Sequence, residues 1–249
     1  MTSQPPVPPS QFYTGIVTEL YRHLRGEVFD PAPYARLIEA YGQPALEMGC
    51  GDGDPILDLI QQGYEVEGLD SSADMLARCR VAAVERGIEV VLHEATFESM
   101  DLGRCYRSIY FAGATFNLIP TDEGAEAALA RIAAHLETGG AVLIPLFVPA
   151  AEAPDSEGSA KEQADSDGSV MRLTTLESIR DEAARTQRTG LRYERLLDGA
   201  VVDSDDRSWL LHWHTKEAFA EMAARAGLQV IHVFEQSSSE FTFLLTPAG

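Results

Sequence analysis

The sequence predicts an α/β protein: a seven-stranded, mostly parallel sheet with an antiparallel last strand, into which a small antiparallel sheet is inserted. Three observations carry this. From Pro44 to Val148 short β-rich runs alternate with helix-like segments, residues 170–214 switch to period-two alternation, and the last two apolar runs, LQVIHVFE and EFTFLLT, are separated by little more than SSS. Strands alternating with helices pair in parallel through right-handed crossovers, whereas strands joined by so short a connection pair antiparallel.

The elements follow in order. The Pro-rich start, MTSQPPVPPS, is expected to be disordered over residues 1–10. FYTGIVTELYRHLRG then places Phe12, Ile16, Leu20 and Leu24 at helical spacing and reads as a lead-in helix. ALEM, YEVEGL, IEVVL, SIYFA and AVLIPLFV are the next strands, with ILDLIQQG, SSADMLARCRVAAVERG and TDEGAEAALARIAAHLETGG as helices among them. Ser71 or Ser72 caps the second of these helices and Thr121 the third, while Gly87 and Gly139 stand where C-terminal glycines belong. Residues 149–169, small and acidic, read as a mobile linker. VMRLTTL, LRYERLL and SWLLHWH, with an Asp198-Gly199 turn after the second, form the inserted sheet. The helix TKEAFAEMAARAG, capped by Thr215 and closed by Gly227, leads back to the final hairpin. The expected division is therefore a core of residues 11–148 and 215–249, a linker at 149–169 and an insertion at 170–214.

Composition excludes several classes of function. With 249 residues, 45% hydrophobic and 23% charged, the chain can bury a full core. Its start has no basic and apolar leader, and no run approaches the ~18 apolar residues of a membrane span. Cys50, Cys79 and Cys105 have no paired spacing, so neither a disulfide framework nor a zinc knuckle is expected, and the expected compartment is the reducing cytoplasm. A net charge of -20 with no dense basic cluster disfavours nucleic acid. That acidity serves solubility first; it also tolerates neutral and cationic ligands. No internal repeat is present.

PALEMGCGDGDP, residues 44–55, is an apolar strand run that empties into a glycine-rich turn. In an open parallel sheet ligands bind outside the carboxyl ends of strands where the strand order reverses, which makes this turn the place for a site. Gly49, Gly51 and Gly53 alternate and let the main chain come close to a ligand; an unliganded turn can carry the same pattern, so the neighbours decide. A phosphate loop needs Gly-Lys followed by Ser or Thr, whereas no Lys or Arg stands between residues 37 and 77, which excludes a nucleoside triphosphate. The dinucleotide fingerprint wants a third glycine where this chain has Asp54-Pro55, so a pyrophosphate would meet carboxylates. Asp70 ends the strand YEVEGLD, where an acid can accept both hydroxyls of a ribose. Capping is its plainer role, but Ser71 and Ser72 already supply caps. The site reads as one for a ribose-containing ligand without bridging phosphates.

Here the sequence resembles class I S-adenosylmethionine-dependent methyltransferases. The likeness runs through ALEMGCGDG, GLDSSADMLARCR, HEATFESMDLGRCYRSIYFAGATFNLI, ALARIAAHLETGGAVLIPLFVP and AGLQVIHVFE, over residues 40–148 and 215–246. It implies a Rossmann-like core and S-adenosyl-L-methionine as cofactor, a ligand with a cationic sulfonium and ammonium and no phosphate. On the same resemblance Glu47 orders the methionine-ammonium end, with Gly49, Cys50, Gly51 and Gly53 giving main-chain approach. Asp70 takes the ribose, Ser71 and Met75 lie by ribose and adenine, and Phe111 and Ala112 meet the methionine moiety, with Asn117 just beyond. Thr96, followed by Phe97, stands where the family usually has an acid for the adenine amino group, and a hydroxyl is the weaker acceptor. Tyr21 resembles a tyrosine that many relatives carry near the donor carboxylate, although an aromatic on an amphipathic helix also serves as plain core. The insertion is similar in placement to the lid of small-molecule methyltransferases of the natural-product, amino-sugar type, where inserted strands build the acceptor pocket.

The implied reaction is in-line methyl displacement onto N or O of a small molecule, for which alignment alone can supply ~7–11 kcal/mol. An amine acceptor needs no strong base, whereas a hydroxyl does. His212 and His214 share one strand face in SWLLHWHT and are the candidate base or substrate contacts; structural histidines are the plainer reading. They lack an evident third ligand, so no metal is expected, and no nucleophile motif such as GxSxG is present. Two other readings stay open: a protein that binds the donor without chemistry, and an NAD-dependent oxidoreductase, against which Asp54-Pro55 stands. The expected partner is a small-molecule methyl acceptor, with no nucleic acid and no membrane, and a homodimer is an open assembly state.

Overall fold

The computed structural model describes residues 6–25, 28–150, 158–165 and 167–249. In chain order the elements are α1 (Pro9–Phe12), α2 (Ile16–Arg25), α3 (Ala32–Tyr41), β1 (Ala45–Met48), α4 (Ile56–Gln61), β2 (Val66–Asp70), α5 (Ala73–Arg86), β3 (Val91–Glu94) and β4 (Tyr106–Phe111). After a short 3₁₀ helix (Thr115–Leu118) come α6 (Asp122–His135), β5 (Leu136–Phe147), β6 (Ala160–Ala164), β7 (Val170–Asp181), β8 (Thr186–Leu197), β9 (Ala200–His212), α7 (Lys216–Arg225), β10 (Leu228–Glu235) and β11 (Glu240–Pro247). The chain divides into two compact units, residues 1–27 with 149–212 and residues 28–148 with 213–249.

The larger unit holds the seven-stranded sheet that the sequence predicts, and its strands lie in the order β10-β11-β5-β4-β1-β2-β3. β1 to β5 pair in parallel, and β11 runs antiparallel to both β5 and β10. β1 and most of β4 are buried on both faces, which is why ALEM and SIYF read as runs of largely apolar residues rather than alternations. One face packs Leu46, Ile109, Phe111 and Phe243 with residues of α6 and α7; the other packs Ala45, Tyr110 and Leu143 with α3, α4 and α5. β1 lies between β2 and β4, so the strand order reverses there, and the crevice beyond its carboxyl end is the place for a ligand.

Side-chain caps start the helices where the sequence places them. Ser72, Thr121 and Thr215 accept from the N–H groups of Met75, Gly124 and Ala218. Gly139 is a correction: α6 ends earlier, at His135, and Gly139 lies within β5. His135 itself ties off the helix, donating from Nδ1 to the Arg131 carbonyl and accepting at Nε2 from the Leu102 N–H.

The smaller unit is an antiparallel sheet, β6-β7-β8-β9, with α1 and α2. Phe12, Ile16, Val17 and Leu20 form a cluster with Met171, Leu191 and Tyr193, so the lead-in helix belongs to this unit and not to the core to which the sequence analysis gave it. Asp198 and Gly199, both with positive φ, make the two-residue turn between β8 and β9. The stretch read as a linker contains β6, which pairs antiparallel with β7 although every side chain on it is exposed. Main-chain bonding to an open strand edge needs no apolar side chain, and composition therefore missed it. Residues 151–157 and 166 lie outside the described residues, as do residues 1–5 of the predicted disordered start. Within that start, the Val7 N–H donates to the Ser208 carbonyl and α1 begins at Pro9.

Away from the crevice, buried Glu67 on β2 accepts from the Tyr106 hydroxyl at 2.8 Å and pairs with His93 at 2.7 Å and with Arg104. Burial opposes its ionisation, but the bonds from His93 and Tyr106 and the Arg104 charge outweigh that and hold its carboxyl below the ordinary range. Tyr106→Phe is expected to cost about 1–3 kcal/mol of stability by leaving a buried carboxylate short of a donor. Because the folded pKa is lowered, the contribution of Glu67 is full above the ordinary carboxylate pKa of about 4.3 and is lost as pH falls through the folded value. Urea denaturation should accordingly show the stability gap between wild type and Glu67→Gln narrowing in that acid window.

Candidate functional site

The glycine turn leaves β1 and is stitched to the end of β2. The N–H groups of Gly49 and Cys50 donate to the Leu69 carbonyl at 2.7 and 3.0 Å, and the Gly51 N–H donates to Asp70 Oδ2 at 2.9 Å. Asp70 Oδ1 takes the Ser72 N–H at 2.8 Å at the start of α5. One carboxylate thus joins the turn to the next helix, in addition to the ribose role implied by the resemblance. Burial raises the pKa of Asp70, main-chain N–H groups of Ser72, Gly51 and Ser71 oppose the rise, and the Asp52 charge adds to it.

The glycines are needed for more than access. Gly49 has φ of 76°, and a Cβ there would stand 2.8 Å from Thr115 Cγ2 and 3.4 Å from the Phe97 ring. At Gly53 a Cβ would fall 2.7 Å from Leu57, so that position serves helix packing. Cys50 turns its buried thiol into the core against Gly68, leaving only its main chain at the turn.

Around the turn stand Glu47 and Asp52, both buried, and Asp70. The Tyr110 hydroxyl donates to Glu47 Oε2 at 2.8 Å, and the Tyr34 ring stacks on Tyr110 with centroids 4.6 Å apart. Asp54 Oδ2 accepts from the Phe29 N–H at 3.2 Å, holding the segment before α3, and the Phe29 ring would meet a Cβ on Gly113 at 3.0 Å. Tyr34, Tyr110, Thr115 and Phe29 escaped the sequence analysis. Only Tyr110 carried a signal: a polar-tipped aromatic in a central strand, beside a strand that buries an acid.

Met75 is buried in the first turn of α5, and Gly51 would place a Cβ 3.2 Å from its Cε. Ser71 precedes the cap, which is Ser72. Thr96 is exposed and shares a 2.8 Å hydrogen bond with Ser99, while Phe97 sets its ring edge against buried Phe111. Asn117, expected near the chemistry, is buried; its Nδ2 donates to the Phe147 carbonyl and its Oδ1 accepts from the Phe147 N–H. It clasps the end of β5, a structural use that the sequence analysis did not foresee.

Tyr21 lies in the smaller unit on α2, its ring edge-on to Tyr13. The two candidate histidines do not share a strand face. β9 ends at buried His212, and His214 follows it in the larger unit, fully buried beside the Phe116 and Phe219 rings with Nδ1 3.5 Å from Asp122 Oδ1. The strand stops because Thr215 already caps α7.

The donor set fits a cation-bearing nucleoside. Buried carboxylates surround a turn whose glycines a Cβ would fill, and no guanidinium or ammonium stands along residues 37–77 to meet a phosphate. A cavity of about 950 Å³ on the α3 side of the sheet is lined by Leu37, Tyr41, Pro145 and Leu244, and also by Phe29, Tyr34 and Gly113 from the surroundings of the turn. No residue of the glycine turn itself lines it, and its mostly apolar wall also carries Arg36 and Glu240. Among the described residues no helix is long and apolar enough to cross a membrane.

Residues 45–140 match a family model described as a methyltransferase domain. Over 233 residues, 89% of this chain and 87% of the relative, the sequence is 25% identical to the dTDP-3-amino-3,6-dideoxy-alpha-D-glucopyranose N,N-dimethyltransferase of Streptomyces fradiae. The fold is similar to that of the sugar N-methyltransferase KedS8 from Streptoalloteichus, with TM-score 0.77 and 19% identity over 100% of this chain and 98% of that one. It is also similar to the CcbJ methyltransferase from Streptomyces caelestis, with TM-score 0.76 and 22% identity over 96% and 98% of the two chains.

Asp70→Ala removes the acceptor of two main-chain N–H groups. It is expected to cost about 2–4 kcal/mol, since hydrogen bonds to charged groups contribute ~1.5–3 kcal/mol each and water replaces part of the loss. Thermal denaturation reads that change, and Asp70→Asn, which keeps one carbonyl oxygen, should fall between the two.

Proposed function

We propose an amino group of a small, sugar-like molecule as the methyl acceptor of this chain, whose fold and matched domain are those of class I S-adenosylmethionine-dependent methyltransferases. The observation that carries the proposal is the likeness to the Streptomyces fradiae amino-sugar N,N-dimethyltransferase along nearly the whole of both chains. When bound, S-adenosyl-L-methionine supplies a methyl group on a sulfonium, a good leaving group.

The residues then divide the work. Glu47 takes the ammonium end and Asp70 the ribose hydroxyls. Gly49, Cys50, Gly51 and Gly53 offer the main chain of the turn, Ser71 and Met75 flank ribose and adenine, and Thr96 with Phe97 borders the adenine. Phe111 and Ala112 at the end of β4 face the methionine moiety. Asn117 contributes by fixing the end of β5 through Phe147. Tyr21 toward the donor carboxylate, and acceptor recognition by β7 to β9, are parts of the same proposal. So are a cytoplasmic setting and a homodimeric assembly.

A neutral amine carries its own lone pair, so the chain has to align nitrogen, methyl and sulfur and exclude water rather than abstract a proton beforehand. His212 and His214 are therefore assigned to positioning, with proton uptake left to solvent after transfer. This agrees with the full burial of His214 among aromatic rings.

Incubation with labelled donor and a nucleotide-linked amino sugar should yield a product carrying one or two added methyl groups by mass spectrometry. Its rate should rise with pH as the acceptor ammonium deprotonates. Methylation of phenols with none of the amine would move the acceptor to oxygen, and calorimetric binding of NAD without binding of the donor would sink the methyltransferase reading.

A further inference from the structure

Glu47 and Tyr110 stand directly opposite each other on β1 and β4, and paired residues of neighbouring strands project to the same face. Both are wholly buried, in a cluster otherwise built from residues such as Leu37, Ile38, Ala45 and Leu143. The hydroxyl of Tyr110 donates to Glu47 Oε2 at 2.8 Å. Its ring is held from above by Tyr34, with centroids 4.6 Å apart and planes at 21°, so the hydroxyl cannot swing away without unstacking the pair.

Packing alone does not ask for that hydroxyl. A phenylalanine would fill the same space and stack on Tyr34 equally well, whereas a carboxylate and a phenol placed in an apolar cluster are costly unless each satisfies the other. Tyr34, Cys50 and Tyr110, which lie near Glu47, are themselves acids. Burial first, with Glu47 after it for the two tyrosines and Asp70 then Glu47 after it for Cys50, pushes Tyr34 up to about 12 and raises Cys50 and Tyr110 well above their ordinary values. Their protons stay on, and Tyr110 stays a donor toward Glu47. A carboxylate is the partner that an ammonium seeks and a phosphate avoids.

We propose that Tyr110 is a positioning residue for the amino end of the methyl donor: its hydroxyl fixes the rotation of the Glu47 carboxylate that receives the ammonium. This rests on the donor assignment above. It separates two contributions to donor affinity, since Tyr110 serves the amino-acid end and leaves the adenosine end untouched.

The test is calorimetry on the full chain with two ligands, S-adenosylhomocysteine and methylthioadenosine, the second of which lacks the amino-acid end. Tyr110→Phe should weaken S-adenosylhomocysteine by about tenfold, the scale of one hydrogen bond to a charged group, and leave methylthioadenosine within about twofold. Because Tyr110 acts through Glu47, adding Tyr110→Phe to Glu47→Gln should have little further effect on S-adenosylhomocysteine. Equal weakening of both ligands would reduce Tyr110 to plain packing and overturn the inference, as would unchanged S-adenosylhomocysteine affinity. Should Tyr110→Phe fail to fold, Glu47→Gln alone decides, since it keeps volume and an acceptor: selective loss of S-adenosylhomocysteine supports the pair, and equal affinity overturns it. Wild type binding neither ligand would bring down the donor assignment itself, an outcome distinct from wild type binding both and Tyr110→Phe matching it.

Discussion

The site depends on one carboxylate. Asp70 holds the Gly51 N–H with one oxygen and the Ser72 N–H with the other, so the turn after β1 and the first turn of α5 are fixed to the same two atoms. Without that bridge the turn would lose its tie to α5 and keep only main-chain bonds, chiefly those of Gly49 and Cys50 to the Leu69 carbonyl. The raised pKa of Asp70 reflects burial, and three main-chain N–H groups hold that rise in check. A ribose would thus meet an acid whose orientation is set before it arrives, which lowers the cost of ordering it on binding.

Two buried acids on adjacent central strands show how alike residues come to different uses. Glu67 on β2 and Glu47 on β1 each accept a hydroxyl from a tyrosine of β4, Tyr106 and Tyr110. Glu67 also meets His93 and Arg104, and this set of partners ties β2, β3 and β4 together. Near Glu47 stand Tyr34, Cys50 and Tyr110, acids that keep their protons. The first arrangement ties three strands of the fold; the second holds a buried carboxylate beside the glycine turn.

Much of this was legible in the residues. Runs such as ALEM and SIYF, helices begun by Ser72, Thr121 and Thr215, and the Asp198-Gly199 turn are local signals, and local signals translate directly into elements. What stayed hidden is what only the folded chain decides. β6 is exposed throughout and exists through main-chain pairing, and α2 joins the smaller unit because its apolar stripe matches Met171 and Leu191. α6 stops at His135 because a side chain bonds back to Arg131. At the site, the acids and glycines could be read from spacing, whereas the hold of Asn117 on Phe147 and the stack of Tyr34 on Tyr110 depend on residues distant in sequence. His212 and His214 looked like a strand-face pair only while the strand was taken to run on past His212.

The glycine turn has a consequence for life in a metabolite pool. Adenosine is carried by many abundant molecules, most of them polyphosphates, and a pocket that recognised adenosine alone would spend most of its time occupied by the wrong ones. Carboxylates at 47, 52, 54 and 70, with no cationic side chain from 37 to 77, make the main chain around Gly49 and Gly51 a poor host for any of them. On the proposed assignment, discrimination would come from repulsion as much as from fit, and this stretch would turn polyphosphate nucleosides away before any contact with the acceptor matters.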